Sequence, residues 1–166
     1  GRVRRRRKIT IKVPAGVNTG NTIPLRGEGE PGVRGGQHGD LYININVLPH
    51  KIFKRDGFDV ICEIPISFPQ AALGAEIDVP TIDGIIKYTI PEGTQSGTVF
   101  KIKGKGIPRI RGYGRGDQLI QIIVEIPRKL NDKQKDLLKQ FAEACGEDVN
   151  EQRKSFFNKV KDAFGM

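Results

Sequence analysis

The segment GEGEPG carries glycines at a spacing that can bind phosphate. Gly27, Gly29 and Gly32 form a G-x-G-x-x-G pattern. Such a loop binds a nucleotide when a strand precedes it and a helix begins at its last glycine. The residues that follow, VRGGQHGD, have no helical periodicity, and neither G-K-S nor G-K-T occurs in the chain. The sequence therefore argues against a nucleotide site at these glycines.

The other residues that could catalyse a reaction or bind a metal lack the sequence neighbours that these roles require. His38 and His50, the two histidines, have no Cys, Asp or second His at a metal-ligand spacing. A G-x-S-x-G nucleophile turn is also absent from the sequence. Cys62 and Cys145 lack a C-x-x-C spacing and fit buried, unpaired thiols in a reducing compartment. We therefore predict that the chain is not an enzyme and binds no metal.

The glycine-rich loop occurs twice. A shift of 77 positions without a gap pairs Gly16 with Gly93, whereas Gly32, the last glycine of the nucleotide pattern, pairs with Arg109. A glycine shared by both copies indicates a tight turn or a positive φ, and the shared aspartates suit turn capping better than catalysis. The other matched positions are Gly20 with Gly97, Gly27 with Gly104, Gly29 with Gly106, Gly35 with Gly112, and Gly39-Asp40 with Gly116-Asp117.

Strand patterns dominate the first 126 residues. In KITIKV, Ile9, Ile11 and Val13 alternate with polar residues, and this period of two is typical of a half-buried strand. We predict further strands in LYININV, VICEIPISF, AEIDVP, IIKYTIP, TVFKIK and LIQIIVEIP, and one helical turn in FPQAALG. The second repeat has an upstream half, residues 58–84, without a counterpart in the first. We therefore expect a duplicated β fold whose first copy is truncated.

The sequence pattern of the last 40 residues predicts helices. LNDKQKDLLKQFAEACG has Asn131 or Asp132 as its N-cap and Gly146 as its stop. SFFNKVKDAFG predicts a second, short helix capped by Ser155. Such a helix is marginal alone, so its apolar side must be covered by this chain or by a second one. The residues on that side are Phe156, Phe157, Val160 and Phe164.

The chain is basic, with 28 Lys and Arg against 19 Asp and Glu and a net charge of +9. Basic residues cluster in the run from Arg4 to Lys8, which permits nucleic-acid binding. However, the few aromatic residues are not interleaved with this run, so a solvated arm fits better. An apolar run of about 18 residues, which a membrane-spanning helix requires, does not occur. Because the chain begins with Gly, we expect it to be a piece of something longer.

Several separated motifs together resemble the carboxy-terminal half of bacterial DnaJ co-chaperones. They are PHKIFKRDG, QAALGAEIDVPTIDG and the twice-repeated P-x-G-x-x-x-G…G-x-G…GD pattern. The resemblance implies two tandem, β-sandwich-like DnaJ C-terminal domains and a helical dimerisation segment. The first β domain would be residues 1–50 (truncated), the second residues 51–127, and the dimerisation segment residues 128–166.

The resemblance also implies a function and partners. Such proteins hold unfolded polypeptide clients, work as homodimers in the cytoplasm and deliver clients to a DnaK-type ATPase. The J domain that contacts the ATPase and the cysteine-rich region that binds zinc do not occur in this sequence. We therefore expect the fragment itself to bind no zinc or other cofactor.

The family's client groove accepts a peptide as an added strand beside an apolar pocket on the first β domain. By position, Ile9 and Phe53 resemble pocket-lining residues, with Ile11 and Ile23 as their neighbours. An alternative for Phe53 is an ordinary core aromatic where the repeats join. Phe156, Phe157, Val160 and Phe164 are the expected two-fold contact between copies, and docking onto their own chain is the alternative.

Overall fold

The computed structural model of the chain describes residues 3–146 and 150–166. The chain divides into two compact units, Gly1–Glu125 and Ile126–Met166. The first unit contains β1 (Thr22–Leu25), β2 (Leu41–Asn44), β3 (Lys54–Asp56), β4 (Asp59–Ser67), α1 (Phe68–Leu73), β5 (Ala75–Thr81), β6 (Gly84–Ile90), β7 (Val99–Ile102) and β8 (Gln118–Glu125). The second contains α2 (Asp132–Cys145) and α3 (Glu151–Phe164). The protein is thus mainly β with a helical C-terminal segment, as predicted.

The two repeats share one antiparallel strand pair in the same register. In the first, β1 and β2 pair antiparallel, with Ile23 opposite Ile43. In the second, β7 and β8 pair antiparallel, with Phe100 opposite Ile120. Both members of the second pair lie 77 positions after those of the first. The duplication read from the glycines therefore extends to strand register.

The second repeat holds the buried core. Its four-stranded sheet has the order β3-β4-β8-β7, with β4 and β8 parallel, and β5 and β6 form a separate hairpin. Alternate side chains of β4 and β8 point inward because successive residues of a strand face opposite sides, and Ile120 and Ile122 are fully buried. The core cluster joins these strands to α1 and the hairpin through Cys62, Ile64, Ile66, Ala71, Ile77, Val79, Ile90, Ile120 and Ile122.

The first repeat lacks such a core. Among the described residues, no side chain before Val60 is buried. Strand β8 lies between β4 and β7, but β2, its equivalent in the first repeat, pairs with β1 alone among the described strands. In the second repeat that neighbour is β4, and no counterpart of β4 lies among the described residues of the first repeat.

The prediction of a strand in KITIKV is wrong. Residues 8–13 form no strand, and Ile9 and Val13 are exposed while Ile11 is half-buried. The equivalent residues of the second repeat, 85–90, lie in β6 and pair with β5. Because a strand is held by hydrogen bonds to a neighbour, the same pattern stays irregular where the described residues supply no such neighbour. For the same reason LYININV is a strand only as far as Asn44.

The predicted helical turn FPQAALG is confirmed as α1. The Ser67 hydroxyl accepts a hydrogen bond from the Gln70 amide at 3.2 Å, and the Gln70 side-chain oxygen accepts one from the Ser67 amide at 3.0 Å. This reciprocal capping satisfies two amides that a helix start otherwise leaves unpaired. The helix ends before Gly74, as predicted.

The predicted first helix of the C-terminal segment is confirmed, whereas the predicted start of the second helix is wrong. Asn131 caps α2 through the Gln134 amide at 2.8 Å, and the helix ends before Gly146. Helix α3 begins at Glu151, so Ser155 lies inside the helix and does not cap it. The three residues between Glu151 and Ser155, QRK, are good helix formers. The acidic Glu151 in the first turn stabilises the helix through its interaction with the helix dipole.

A search of the described residues finds no helix that is long and apolar enough to cross a membrane.

Candidate functional site

The two repeated aspartates are turn caps. Asp40 Oδ1 accepts a hydrogen bond from the Gly27 amide at 3.1 Å, and Asp117 Oδ1 accepts one from the Gly104 amide at 2.8 Å. Gly27 and Gly104 have φ of 73° and 74°, a left-handed conformation that glycine adopts without steric cost. The prediction that these glycines and aspartates shape turns is confirmed.

A guanidinium joins the two repeats. Arg55 Nη1 donates to the carbonyl of Val17 at 2.6 Å, and Nη2 donates to that of Gly16 at 2.9 Å. Its Nε donates to the Gly57 carbonyl at 2.8 Å, which fixes the guanidinium in its own repeat. Burial lowers the pKa of Arg55, and the group stays charged because an arginine pKa lies far above neutrality. Arg55 therefore holds the Gly16–Val17 turn against the second repeat.

The junction contains a cleft of about 590 Å³. One wall is the turn and strand of the first repeat, and the other is Phe58 with the loop of the second repeat. The guanidinium carbons of Arg55 and Arg109 lie 5.7 and 5.2 Å from the centre of the Phe58 ring, within cation–π range. The lining residues are Pro14, Val17, Gly20, Asn21, Thr22, Ile23, Phe58, Arg109, Ile110 and Arg111.

The four predicted client-binding residues lie in different environments. Ile23 is half-buried in β1 and lines the cleft, whose lining does not include Ile9, Ile11 or Phe53. Phe53 packs against the core cluster of the second repeat, and its ring centre lies 5.0 Å from that of His50. This packing agrees with the alternative interpretation, in which Phe53 is a core aromatic where the repeats join. The client-binding role of all four residues stays a prediction.

The sequence reasoning missed the arginines of the cleft. Arg109 occupies the position of Gly32 in the first repeat, and Arg111 that of Arg34. The replacement of a glycine by an arginine in an otherwise matched loop was the available signal.

The C-terminal unit exposes a large apolar surface. On α3, Phe156, Phe157 and Phe164 are exposed while Val160 is half-buried. The rings of Phe156 and Phe157 meet edge to face at 5.3 Å. On α2, Leu137, Leu138 and Phe141 are also exposed. Large exposed apolar patches are typical of interaction sites, and these side chains are the candidates for one.

Within residues 3–146 and 150–166, no three His, Cys, Asp or Glu side chains are placed to hold a metal ion. A duplicated β unit with a partly apolar cleft, together with helices that expose apolar side chains, is typical of a module that binds other polypeptides.

Comparison with known proteins agrees with this class. The family model described as "DnaJ C terminal domain" matches residues 2–127, and that described as "Chaperone protein DnaJ C-terminal region" matches residues 133–166. The chain therefore belongs to the DnaJ C-terminal domain family.

Individual relatives are similar along the whole chain. The chaperone protein DnaJ of Acetivibrio thermocellus is 64% identical over 166 residues, which are 100% of this chain and 43% of that protein. The chaperone protein DnaJ of Ruminiclostridium cellulolyticum is 62% identical over 163 residues, 98% of this chain and 43% of that protein. That of Clostridium acetobutylicum is 60% identical over 156 residues, 94% of this chain and 42% of the relative. The chain thus spans less than half the length of these relatives.

Proposed function

We propose that this chain is the client-binding and dimerisation portion of a DnaJ-type co-chaperone of the cytoplasm. It binds non-native polypeptide by strand addition beside apolar side chains of the first repeat. The observation that carries this proposal is the match of residues 2–127 to the DnaJ C-terminal domain, together with 64% identity to a chaperone protein DnaJ. Residues 8–13 supply alternating apolar side chains to the proposed client surface, and their equivalents in the second repeat lie in β6.

Strand addition suits a protein that accepts many clients. Backbone hydrogen bonds supply affinity whatever the client sequence, and pockets for alternate side chains supply selectivity. Ile9 is exposed and Ile11 is half-buried in residues 8–13. Both side chains alternate with Lys and Thr, and such charged and polar neighbours limit aggregation through apolar surface.

Suppression of client aggregation tests the proposal. Ile9→Asp and Phe53→Asp are expected to weaken suppression because each places a charge beside an apolar client. Ile85→Asp is the matched control, since Ile85 is an exposed isoleucine in the second repeat. Light scattering of an unfolded client measures the effect, and circular dichroism confirms that each variant folds. Full suppression by a folded Ile9→Asp and a folded Phe53→Asp would count against the client surface.

We further propose that the exposed α3 face, comprising Phe156, Phe157, Val160 and Phe164, pairs with the same face of a second copy. A two-fold contact buries one apolar patch against its own duplicate. Two weak client sites in one dimer raise the apparent affinity through effective concentration. In the longer protein we propose that a J domain delivers clients to a DnaK-type ATPase and that a cysteine-rich region binds zinc.

The net charge of +9 favours nucleic-acid binding as a second candidate function. A salt titration separates the two functions. Nucleic-acid affinity falls steeply as salt displaces the protein from phosphates, whereas apolar client binding changes little. Tight, salt-sensitive binding of nucleic acid with no suppression of client aggregation would replace the proposal.

A further inference from the structure

The cleft between the repeats carries positive charge that no carboxylate of the described residues neutralises. Arg109 and Arg111 line it, and the Arg55 guanidinium lies over the Phe58 ring that forms part of its wall. The lining contains no Asp or Glu. The ion pairs found in the described part of the chain are Arg7–Glu28, Lys87–Asp78 and Arg115–Asp83, none of which involves these three arginines.

The rest of the lining is largely apolar. Pro14, Val17, Ile23, Phe58 and Ile110 supply the apolar side chains. A ligand that matches this surface combines an apolar group with an anionic group, because guanidiniums bind carboxylates through charge-assisted hydrogen bonds.

A peptide fits this cleft better than a nucleic acid. Bases bind single-stranded sites by stacking on open aromatic faces, and Phe58 is the one aromatic residue of the lining. Two guanidiniums already lie over its ring, which leaves little room for a base. The apolar side chains beside the arginines would contact side chains of a peptide.

The two walls of the cleft are held in place before any ligand binds. Arg55 fixes the Gly16–Val17 turn through two hydrogen bonds. A Cβ built on Gly16 would lie 2.1 Å from the carbonyl oxygen of Pro108, so the two repeats approach there at backbone distance. A site with fixed walls loses less entropy on binding than one that must first be ordered.

We propose that the cleft binds extended polypeptide segments in which an acidic side chain neighbours apolar ones, with Arg109 and Arg111 contacting the carboxylate. This inference rests on the proposed function, since its ligand is a client polypeptide, and adds a preference that strand addition alone does not provide.

Fluorescence polarisation with two short labelled peptides tests the preference. In one peptide an aspartate stands between leucine and valine residues, and in the other an asparagine replaces the aspartate. The aspartate peptide is expected to bind the chain about tenfold more tightly, the size of one charge-assisted hydrogen bond. In the double variant Arg109→Gln, Arg111→Gln this ratio is expected to fall to about one. The matched control, Lys133→Gln with Lys139→Gln, removes the same charge from exposed positions of α2 and should keep the ratio.

Three results would overturn the inference. These are equal affinity for the two peptides, a ratio that survives in the arginine double variant, and displacement of the aspartate peptide by a single-stranded oligonucleotide that itself needs the two arginines. Failure of the proposed function looks different. If the chain does not suppress client aggregation but still discriminates between the peptides through the arginines, the proposed co-chaperone function fails. The inference about the peptide preference of the cleft then stands.

Discussion

Arg55 of the second repeat donates a 2.6 Å hydrogen bond to the backbone carbonyl of Val17 in the first. The same guanidinium reaches Gly16 and Gly57, so one side chain satisfies carbonyls of both repeats. The three carbonyls are bound by three different nitrogens of the planar guanidinium, whereas the three donors of an ammonium all share one nitrogen.

We predict that Arg55→Ala lowers the free energy of unfolding by about 2 kcal/mol, since hydrogen bonds from a charged donor are lost and the part-buried carbonyls of Gly16 and Val17 are left unpaired. Arg55→Lys should recover only part of this loss. Urea unfolding followed by circular dichroism measures both variants. A lysine variant as stable as the wild type would show that the bridging geometry is unimportant.

Gly106→Ala should destabilise the second repeat by about 3 kcal/mol or more, because its backbone cannot yield to a new methyl group. A Cβ there would lie 2.4 Å from the carbonyl carbon of Gly116 and 2.6 Å from the Asp117 nitrogen. Gly57→Ala is the control. Its φ of 61° is strained for alanine, but no atom lies within 4 Å of the new Cβ, so we expect a loss of about 1 kcal/mol. Urea midpoints compare the two, and equal losses would contradict the close approach at Gly106.

Cys62 should react with a thiol reagent only after the second repeat unfolds. Its side chain is 3% exposed in the core, and desolvation, with a smaller contribution from the Glu63 charge, raises the pKa of the thiol. The native state therefore keeps the proton at a pH where the unfolded chain loses it. Stability from this group is present below the ordinary thiol pKa and decreases as the pH rises from there towards the native value.

Mass spectrometry of pulse-labelled protein measures this protection across urea concentrations and pH. Labelling of Cys62 should follow the unfolding transition seen by circular dichroism, and Cys62→Ser should remove the signal. Rapid labelling of Cys62 in the absence of urea at neutral pH would contradict its burial.

Deletion of residues 151–166 should convert dimers to monomers in analytical ultracentrifugation, because it removes the exposed α3 face. A milder variant, Phe156→Ser with Phe164→Ser, is expected to shift the monomer–dimer equilibrium towards monomers, because it removes the apolar ring at both positions. Asn158→Ser, outside this face, serves as the control. A persistent dimer after the deletion would move the contact elsewhere.

Local patterns in the sequence determined a large part of this fold. The strands β4 to β8, the capped helices α1 and α2, and the duplicated turns follow from side-chain period, capping residues and glycines, all of which act within a few positions of each other. The aspartate caps could be read in the same way, because Asp40 and Asp117 each stand just before a strand at the same place in a repeat.

Contacts distant along the chain decided the rest. KITIKV carries a strand pattern but forms no strand, since no partner strand lies beside it among the described residues. Phe53 joins the core of the second repeat, whereas Ile23 lines the junction. The cleft itself depends on Arg55 holding a turn 39 positions away. Periodicity shows which face of a segment is apolar, but only the folded chain shows what that face meets.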